Sequence, residues 1–260
     1  MNTLVLPGTI WLAADVHLGE HGPQTARAFS RFLQAASGQA DALILCGDLF
    51  DAWIGDDDAL RYPPAWLQAA VQALRQAAAA VPLYLMHGNR DFLMGPALAS
   101  YLGAHLLAAP LRLQTDAGPL LLAHGDEYCV DDVGYQRFRR IVRQAWVQRL
   151  FLKLPLAWRR AAARQARQRS QRAQRAKTMQ IMDVNPRAVS AALRIAGCTT
   201  LVHGHTHRPA VHRFELDGQP AQRHVLPDWM HEPPGPSRGG WITIDGGGLT
   251  LHASTGLEGA

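Results

Sequence analysis

The chain has 260 residues, 48% of them apolar, enough to bury the core of one large domain, or of one domain carrying an insertion. No apolar run reaches about 18 residues, so no transmembrane helix is indicated, and the N-terminus lacks the basic start and small-residue cleavage site of a signal peptide. The net charge is +5, unevenly spread, and Cys46, Cys129 and Cys198 are odd in number and far apart, which excludes a disulfide framework and fits a reducing, cytoplasmic location.

Five short apolar runs come first in chain order: "TIWLAAD", "ALILCGD", "VPLYLMHGN", "PLLLAHGD" and "TTLVHGH". Continuous runs of this length read as strands buried on both faces. Helical patterns lie between the early ones, over residues 25–36, 64–80 and 96–102. Alternating strands and helices predict a layered α/β sheet.

The stretch 134–182 differs. It holds no Asp or Glu, carries 14 of the 26 Lys and Arg residues between Arg137 and Lys177, and is rich in Ala, Arg and Gln. These are good helix formers, and Pro155 should split them into at least two helices. The expected organisation is a core of residues 1–133 and 183–260 with a helical insertion at 134–182. A uniformly basic surface suits an anionic partner better than a merely solvated face does. "AVHRFEL", "RHVLPDW", "GWITID" and "LTLHAS" then read as strands, with "HEPPGPSRGG" a loop.

All five apolar runs end in residues able to bind metal: Asp15 and His17, Asp48, Asn89, His124, and His205 with His207. In open α/β sheets ligands bind beyond the carboxyl ends of the strands. If the runs are neighbours, carboxylates, an amide and imidazoles converge along one edge. A lone Asp or His after a strand is usually a turn residue. Together they would repel and pay for desolvation unless cations sit among them. The mixed oxygen and nitrogen set favours Mn²⁺, Fe²⁺ or Zn²⁺ over Ca²⁺, and seven side chains suit two ions sharing a carboxylate. Gly47, Gly88 and Gly204 precede three of the donors and permit tight turns and close approach. His203 is expected behind the ligand pair, Asp91 beside Arg90 or a histidine or in an ion pair, and Asp51, Asp56, Asp57 and Asp58 in a loop.

The ordered set Asp-x-His, Gly-Asp, Gly-Asn, His-Gly and Gly-His-x-His resembles the calcineurin-like metallophosphoesterases. The resemblance implies a four-layer α/β/β/α sandwich in which Asp15, His17 and His207 hold one metal, Asn89, His124 and His205 the other, and Asp48 bridges them. Most of that superfamily has His where this chain has Arg90; a guanidinium suits phosphate clamping and not proton transfer. "GDLFDAWIGDD", "HGNRDFL", "DDVGYQ", "IMDVN" and "HGHTHRPAVH" are similar to one branch, the UDP-2,3-diacylglucosamine hydrolases (pyrophosphatases) of lipid A biosynthesis.

That branch implies hydrolysis of the substrate's pyrophosphate to UMP and 2,3-diacylglucosamine 1-phosphate by a hydroxide activated between two ions, expected to be Mn²⁺. Asp48, Asn89 and Arg90 would be catalytic. The insertion would be a lid over the site, and Asn89, Arg90, Asp132, Ser170, Gln174, Lys177 and His205 would contact substrate. "LFLKLPLAW", residues 150–158, reads equally as cap packing and as a surface for acyl chains or a membrane. The branch also implies peripheral association with the cytoplasmic face of a bacterial inner membrane, and no nucleic-acid partner is expected.

Overall fold

The computed structural model describes the backbone of residues 1–176 and 183–254 and, outside 169–176, their side chains. In chain order the elements are β1 (Thr3–Val5), β2 (Ile10–Ala13), α1 (Pro23–Gln39), β3 (Ala42–Leu45), α2 (Asp56–Leu60), α3 (Ala65–Ala80), β4 (Leu83–Met86), α4 (Pro96–Leu102), β5 (His105–Leu107), β6 (Leu111–Thr115) and β7 (Gly118–Leu122). Then come α5 (Val133–Val142), α6 (Ala145–Leu152), α7 (Leu156–Ala176), α8 (Pro186–Ala196), β8 (Thr200–His203), β9 (Ala210–Leu216), β10 (Gln219–Val225), β11 (Gly240–Asp245) and β12 (Gly248–Ala253).

The strands form two six-stranded sheets, ordered β12-β11-β2-β3-β4-β5 and β1-β6-β7-β8-β10-β9. This corrects the single shared edge: the first three apolar runs lie in one sheet and the last two in the other. Within each sheet the relevant strands are parallel, β2 with β3 and β4, and β7 with β8. Their carboxyl ends therefore finish together, and the two sets of ends meet across the gap between the sheets.

Two-sided burial follows from the alternation of side chains along each strand. Ile10, Leu12, Ile44 and Met86 face the second sheet and pack with Leu113, Leu122 and Val202. Trp11, Leu43, Leu45 and Leu83 face the other way, against Phe29, Phe32 and Leu74 of α1 and α3. Leu121 and Leu201 of the second sheet cover Val189 and Leu193 of α8. Helices, two sheets and a helix make the four layers, and burying one side chain such as Ile44 contributes about 1.5–3 kcal/mol.

Pro155 does end a helix: α6 stops at Leu152 and α7 starts at Leu156. The basic helices are not free of acids in space. Arg159, buried on α7, donates to Asp57 Oδ1 (2.8 Å) and to the Ile54 and Leu154 carbonyls (2.6 and 2.9 Å). Arg160 and Arg167 pair with Asp58 and Asp51. Gly55, at φ +129°, lets the helix close in, since a Cβ there would lie 2.5 Å from Arg159 Nη1. Asp56 instead receives the Gly95 and Leu98 N–H groups at the start of α4, both at 2.9 Å. Asp56, Asp57 and Asp58 thus lie in α2 and not in a loop, and Asp51, Asp57 and Asp58 dock α7.

Charge-assisted hydrogen bonds contribute about 1.5–3 kcal/mol each. Replacing Arg159 by Met should therefore speed amide exchange across residues 145–168 at least about tenfold, with exchange in β2, β3 and β4 unchanged. Hydrogen–deuterium exchange mass spectrometry checks this, and uniform acceleration of both regions would contradict it.

Candidate metal centre

The residues that end the strands leave them by unusual turns. Asp15, His17, Asp48, His205 and His207 all have φ between 52° and 68°; among the described residues the only other non-glycine with positive φ is Asp217, in the hairpin between β9 and β10. The left-handed conformation costs a non-glycine residue roughly 1–2 kcal/mol, so five in one place mark a backbone held for its side chains. Glycine supplies the clearance: a Cβ on Gly88 would fall 2.1 Å from Asp48 Oδ1, and one on Gly204 2.3 Å from Asp15 Oδ2.

All seven expected donors come together. His17 Nε2 and His207 Nε2 are 3.2 Å apart, and His207 Nε2 is 3.6 Å from Asp15 Oδ1. On the other side Asn89 Oδ1 lies 3.1 Å from His124 Nε2 and 2.8 Å from His205 Nδ1. Asp48 Oδ1 is 3.7 Å from His124 Nε2. Two donor groups result, Asp15 with His17 and His207, and Asp15 with Asp48 and His124. Asp15 is common to both, whereas the family pattern makes Asp48 the bridge.

Separations near 3 Å suit donors sharing a sphere of about 2.1 Å radius, the usual metal–nitrogen distance. Asp15 Oδ1 and His17 Nδ1 are buried with no hydrogen-bond partner. Orphaned polar atoms in such a donor set need an unseen partner, so the residues fit divalent cations.

The surroundings hold these groups in place. His124 Nδ1 donates to the Cys46 carbonyl (3.0 Å), leaving Nε2 to the cluster. Asp91 takes up the N–H groups of Gly88 (2.7 Å), Leu49 (2.7 Å), Asp48 (3.3 Å) and Phe50 (3.4 Å), binding the two turns together, so its partners among the described residues are backbone groups and not the Arg90 side chain. His203 stands behind, donating through Nδ1 to the Gly204 carbonyl and accepting from Arg223 through Nε2, and burial with the Arg223 charge brings its pKa down to about 3. Arg90 donates through its backbone N–H to Asp48 Oδ1 (2.8 Å) and through Nη1 to Asp51 Oδ1 (3.0 Å), which gives Asp51 a partner.

Of the remaining expected contacts, Asp132 caps α5 by accepting from the Tyr135 N–H at 3.0 Å. The side chains of Ser170 and Gln174, and Lys177 altogether, lie outside the described residues. Tyr135 and Asp126 were not anticipated. The Tyr135 hydroxyl donates to buried Asp126 (2.5 Å), its ring lies 6.3 Å from that of His205, and Arg139 Nε donates to the same Asp126 oxygen (2.6 Å). The only signal was the carboxylate in "HGDEY", one residue after a ligand pattern already used up.

Burial would lower the His124 pKa, but Asp48 and Asp15 overrule it and push it up to about 9. Burial, with Asp91 and Asp15 adding, pushes Asp48 up to about 7. Burial and then His124 bring His205 down to about 4. At pH 7 the cluster therefore carries protons on His124 and partly on Asp48, and a cation must displace them. Binding of Mn²⁺ should release at least about one proton per chain at pH 7 and weaken as the pH falls, because both groups are more fully protonated there. Titration calorimetry in buffers of different ionisation enthalpy measures this, and a buffer-independent heat would contradict it.

The calcineurin-like phosphoesterase family profile matches residues 8–209. A protein named UDP-2,3-diacylglucosamine hydrolase from Bordetella parapertussis is 55% identical over 249 residues, 96% of each chain. Proteins of the same name are 48% identical in Aeromonas salmonicida, over 84% of this chain and 85% of that one, and 43% identical in Azotobacter vinelandii, over 94% and 97%. With the two-sheet fold and the donors at its strand ends, these matches make the chain a metal-dependent hydrolase. It belongs to the calcineurin-like phosphoesterases and, within them, to the UDP-2,3-diacylglucosamine hydrolase family.

Proposed function

We propose that the chain hydrolyses the pyrophosphate bond of UDP-2,3-diacylglucosamine to UMP and 2,3-diacylglucosamine 1-phosphate. The observation that carries this is the meeting of all seven donors at the strand ends, in a chain whose relatives bear that substrate's name. Asp15, His17 and His207 would hold one divalent cation, Asn89, His124 and His205 a second, and Asp48 would stand between them. Mn²⁺ is the ion assigned. When bound, such ions supply Lewis acidity toward the diphosphate oxygens and toward the attacking water.

The chain's own residues do the rest. Arg90 is fixed by Asp51 at the edge of the cluster, its side chain 24% exposed, and presents a permanent charge to a diphosphate. A sugar phosphate leaves as a stable anion, so the position needs a clamp more than an acid. Asp91 holds both turns rigid, and Tyr135 with Asp126 backs His205 on the side of the insertion. Helices α5, α6 and α7 form the lid, docked through Arg139 and Arg159.

Lipid is supported by what the insertion exposes. Phe138, Ile141, Trp146, Leu150 and Trp158 are between 51% and 67% exposed, beside Arg140, Arg149 and Lys153. The stretch 150–158 is thus largely surface and not core packing. Among the described residues no helix is long and apolar enough to cross a membrane. An apolar face ringed by cations suits acyl chains and peripheral docking on the anionic cytoplasmic leaflet.

Two expectations follow. In an assay with Mn²⁺, the lipid nucleotide should release UMP faster than simple phosphodiesters are cleaved. Asp48→Ala should abolish release with the fold intact by circular dichroism, and Arg90→Ala should slow it about 10²-fold with metal content unchanged. Turnover of diesters but not of the lipid nucleotide would overturn the substrate; full activity in Asp48→Ala would overturn the site. Separately, Trp146→Ser with Trp158→Ser should reduce co-sedimentation with anionic vesicles while UMP release from a short-chain substrate persists. Undiminished sedimentation would remove that face from the membrane role.

A further inference from the structure

Behind His207 stands a buried carboxylate that none of the seven donor positions uses. His207 turns Nε2 toward Asp15 and His17. Its other nitrogen, Nδ1, is 3.5 Å from Oδ2 of Asp228, a residue only 2% exposed. Arg238 holds that same oxygen, through Nε at 2.8 Å and Nη2 at 2.8 Å. The next residue, Trp229, donates its backbone N–H to the Asp15 carbonyl at 3.0 Å. One short segment thus touches both ends of the Asp15–His207 contact.

That segment is built to stay put. Met230 and Arg238 exchange two backbone hydrogen bonds, each 2.8 Å, which close the proline-rich loop between them. Glu232 within the loop accepts from the Gln24 and Thr25 N–H groups at 2.7 and 3.0 Å, capping α1 from more than 200 residues away. Trp229 packs its indole edge-on against Phe29 and Phe32. The loop at 231–239 therefore has two anchors in the core, and the Asp228–Arg238 pair hangs between them.

We infer that Asp228, clamped by Arg238, is a positioning residue for His207: it accepts from the Nδ1 N–H and fixes Nε2 toward the cluster, making residues 228–238 the back wall of one cation subsite. An imidazole free to rotate offers either nitrogen in many orientations. A carboxylate on Nδ1 selects one tautomer and one ring plane and makes Nε2 a better donor. The inference rests on Asp15, His17 and His207 forming a cation subsite, as proposed above.

The test is Mn²⁺ affinity and stoichiometry, measured by titration calorimetry and by metal content after dialysis, in the wild type, Asp228→Ala, Asp228→Asn, Arg238→Gln and His207→Ala. Melting in chelator controls for folding. Outer partners of metal ligands typically change affinity about 10–100-fold. Asp228→Ala should weaken one of two sites by that factor and leave the other alone. Asp228→Asn, whose amide oxygen still accepts from Nδ1, should recover most of the loss, and Arg238→Gln should weaken the same site up to about tenfold. Wild-type affinity in Asp228→Ala, or an Asp228→Asn as weak as Asp228→Ala, overturns the positioning role. If Asp228→Ala does not fold in chelator, Arg238→Gln decides: a weakened site supports the role and an unchanged one overturns it. A wild type that binds no ion, or a His207→Ala that binds both as before, overturns the subsite itself and not the role of Asp228.

Discussion

Two carboxylates, Asp15 and Asp48, are buried at the mouth of the gap between the sheets, and neither has a side-chain cation fully its own. Arg90 Nε reaches Asp48 only at 3.7 Å. Isolated anions in such a place cost several kcal/mol each, so something positive must accompany them. In the protein alone the imidazoles serve: His124 takes a proton it would otherwise lose to burial. The same arrangement makes the cluster a strong receptor for cations, and the left-handed turns, the close glycines and the Asp91 clamp all exist around that receptor.

The rest of the molecule supports it at two removes. The sheets bring parallel strand ends to one level, and the turns aim the side chains. The insertion is then fastened to the core beside the site by arginines that find acids in the core. Asp126 joins the two systems, since it is reached by Tyr135 and Arg139 of the insertion and lies next in space to His124 and His205. The placement of α5 and the shape of the cluster are therefore not independent, because Tyr135 of that helix lies against the His205 ring.

Much of this was legible in the chain's text, for a physical reason. A buried parallel strand announces itself by a continuous apolar run, and a ligand at its end by the polar residue where the run stops. Both signals are local, so the convergence of Asp15, His17, Asp48, Asn89, His124, His205 and His207 could be expected without coordinates. Which sheet a run joins is not local: five similar runs read as possible neighbours along one edge, and they belong to two sheets. The three-residue edge strands β1 and β5, partly exposed, carry little apolar signal. Partners far apart in sequence were equally silent: Asp51 meets Arg90 across 39 residues and Asp57 meets Arg159 across 102. The opposite signs of 51–58 and 134–182 were the one available hint, since an acid-free run in a folded chain needs its counter-charges somewhere.

The pairing of β11 with β2 has a consequence for how the protein is made. Ile242 sits beside Leu12 and Ile244 beside Ile10, so the first sheet lacks a strand on that side of β2 until residues more than 30 positions beyond His207 exist. A ribosome emits the N-terminal strands well before that. Every donor through His207 can be outside the exit tunnel while the sheet that aims Asp15 is still open on that side. The strand that completes the frame around Asp15 is thus made after every donor it helps to aim.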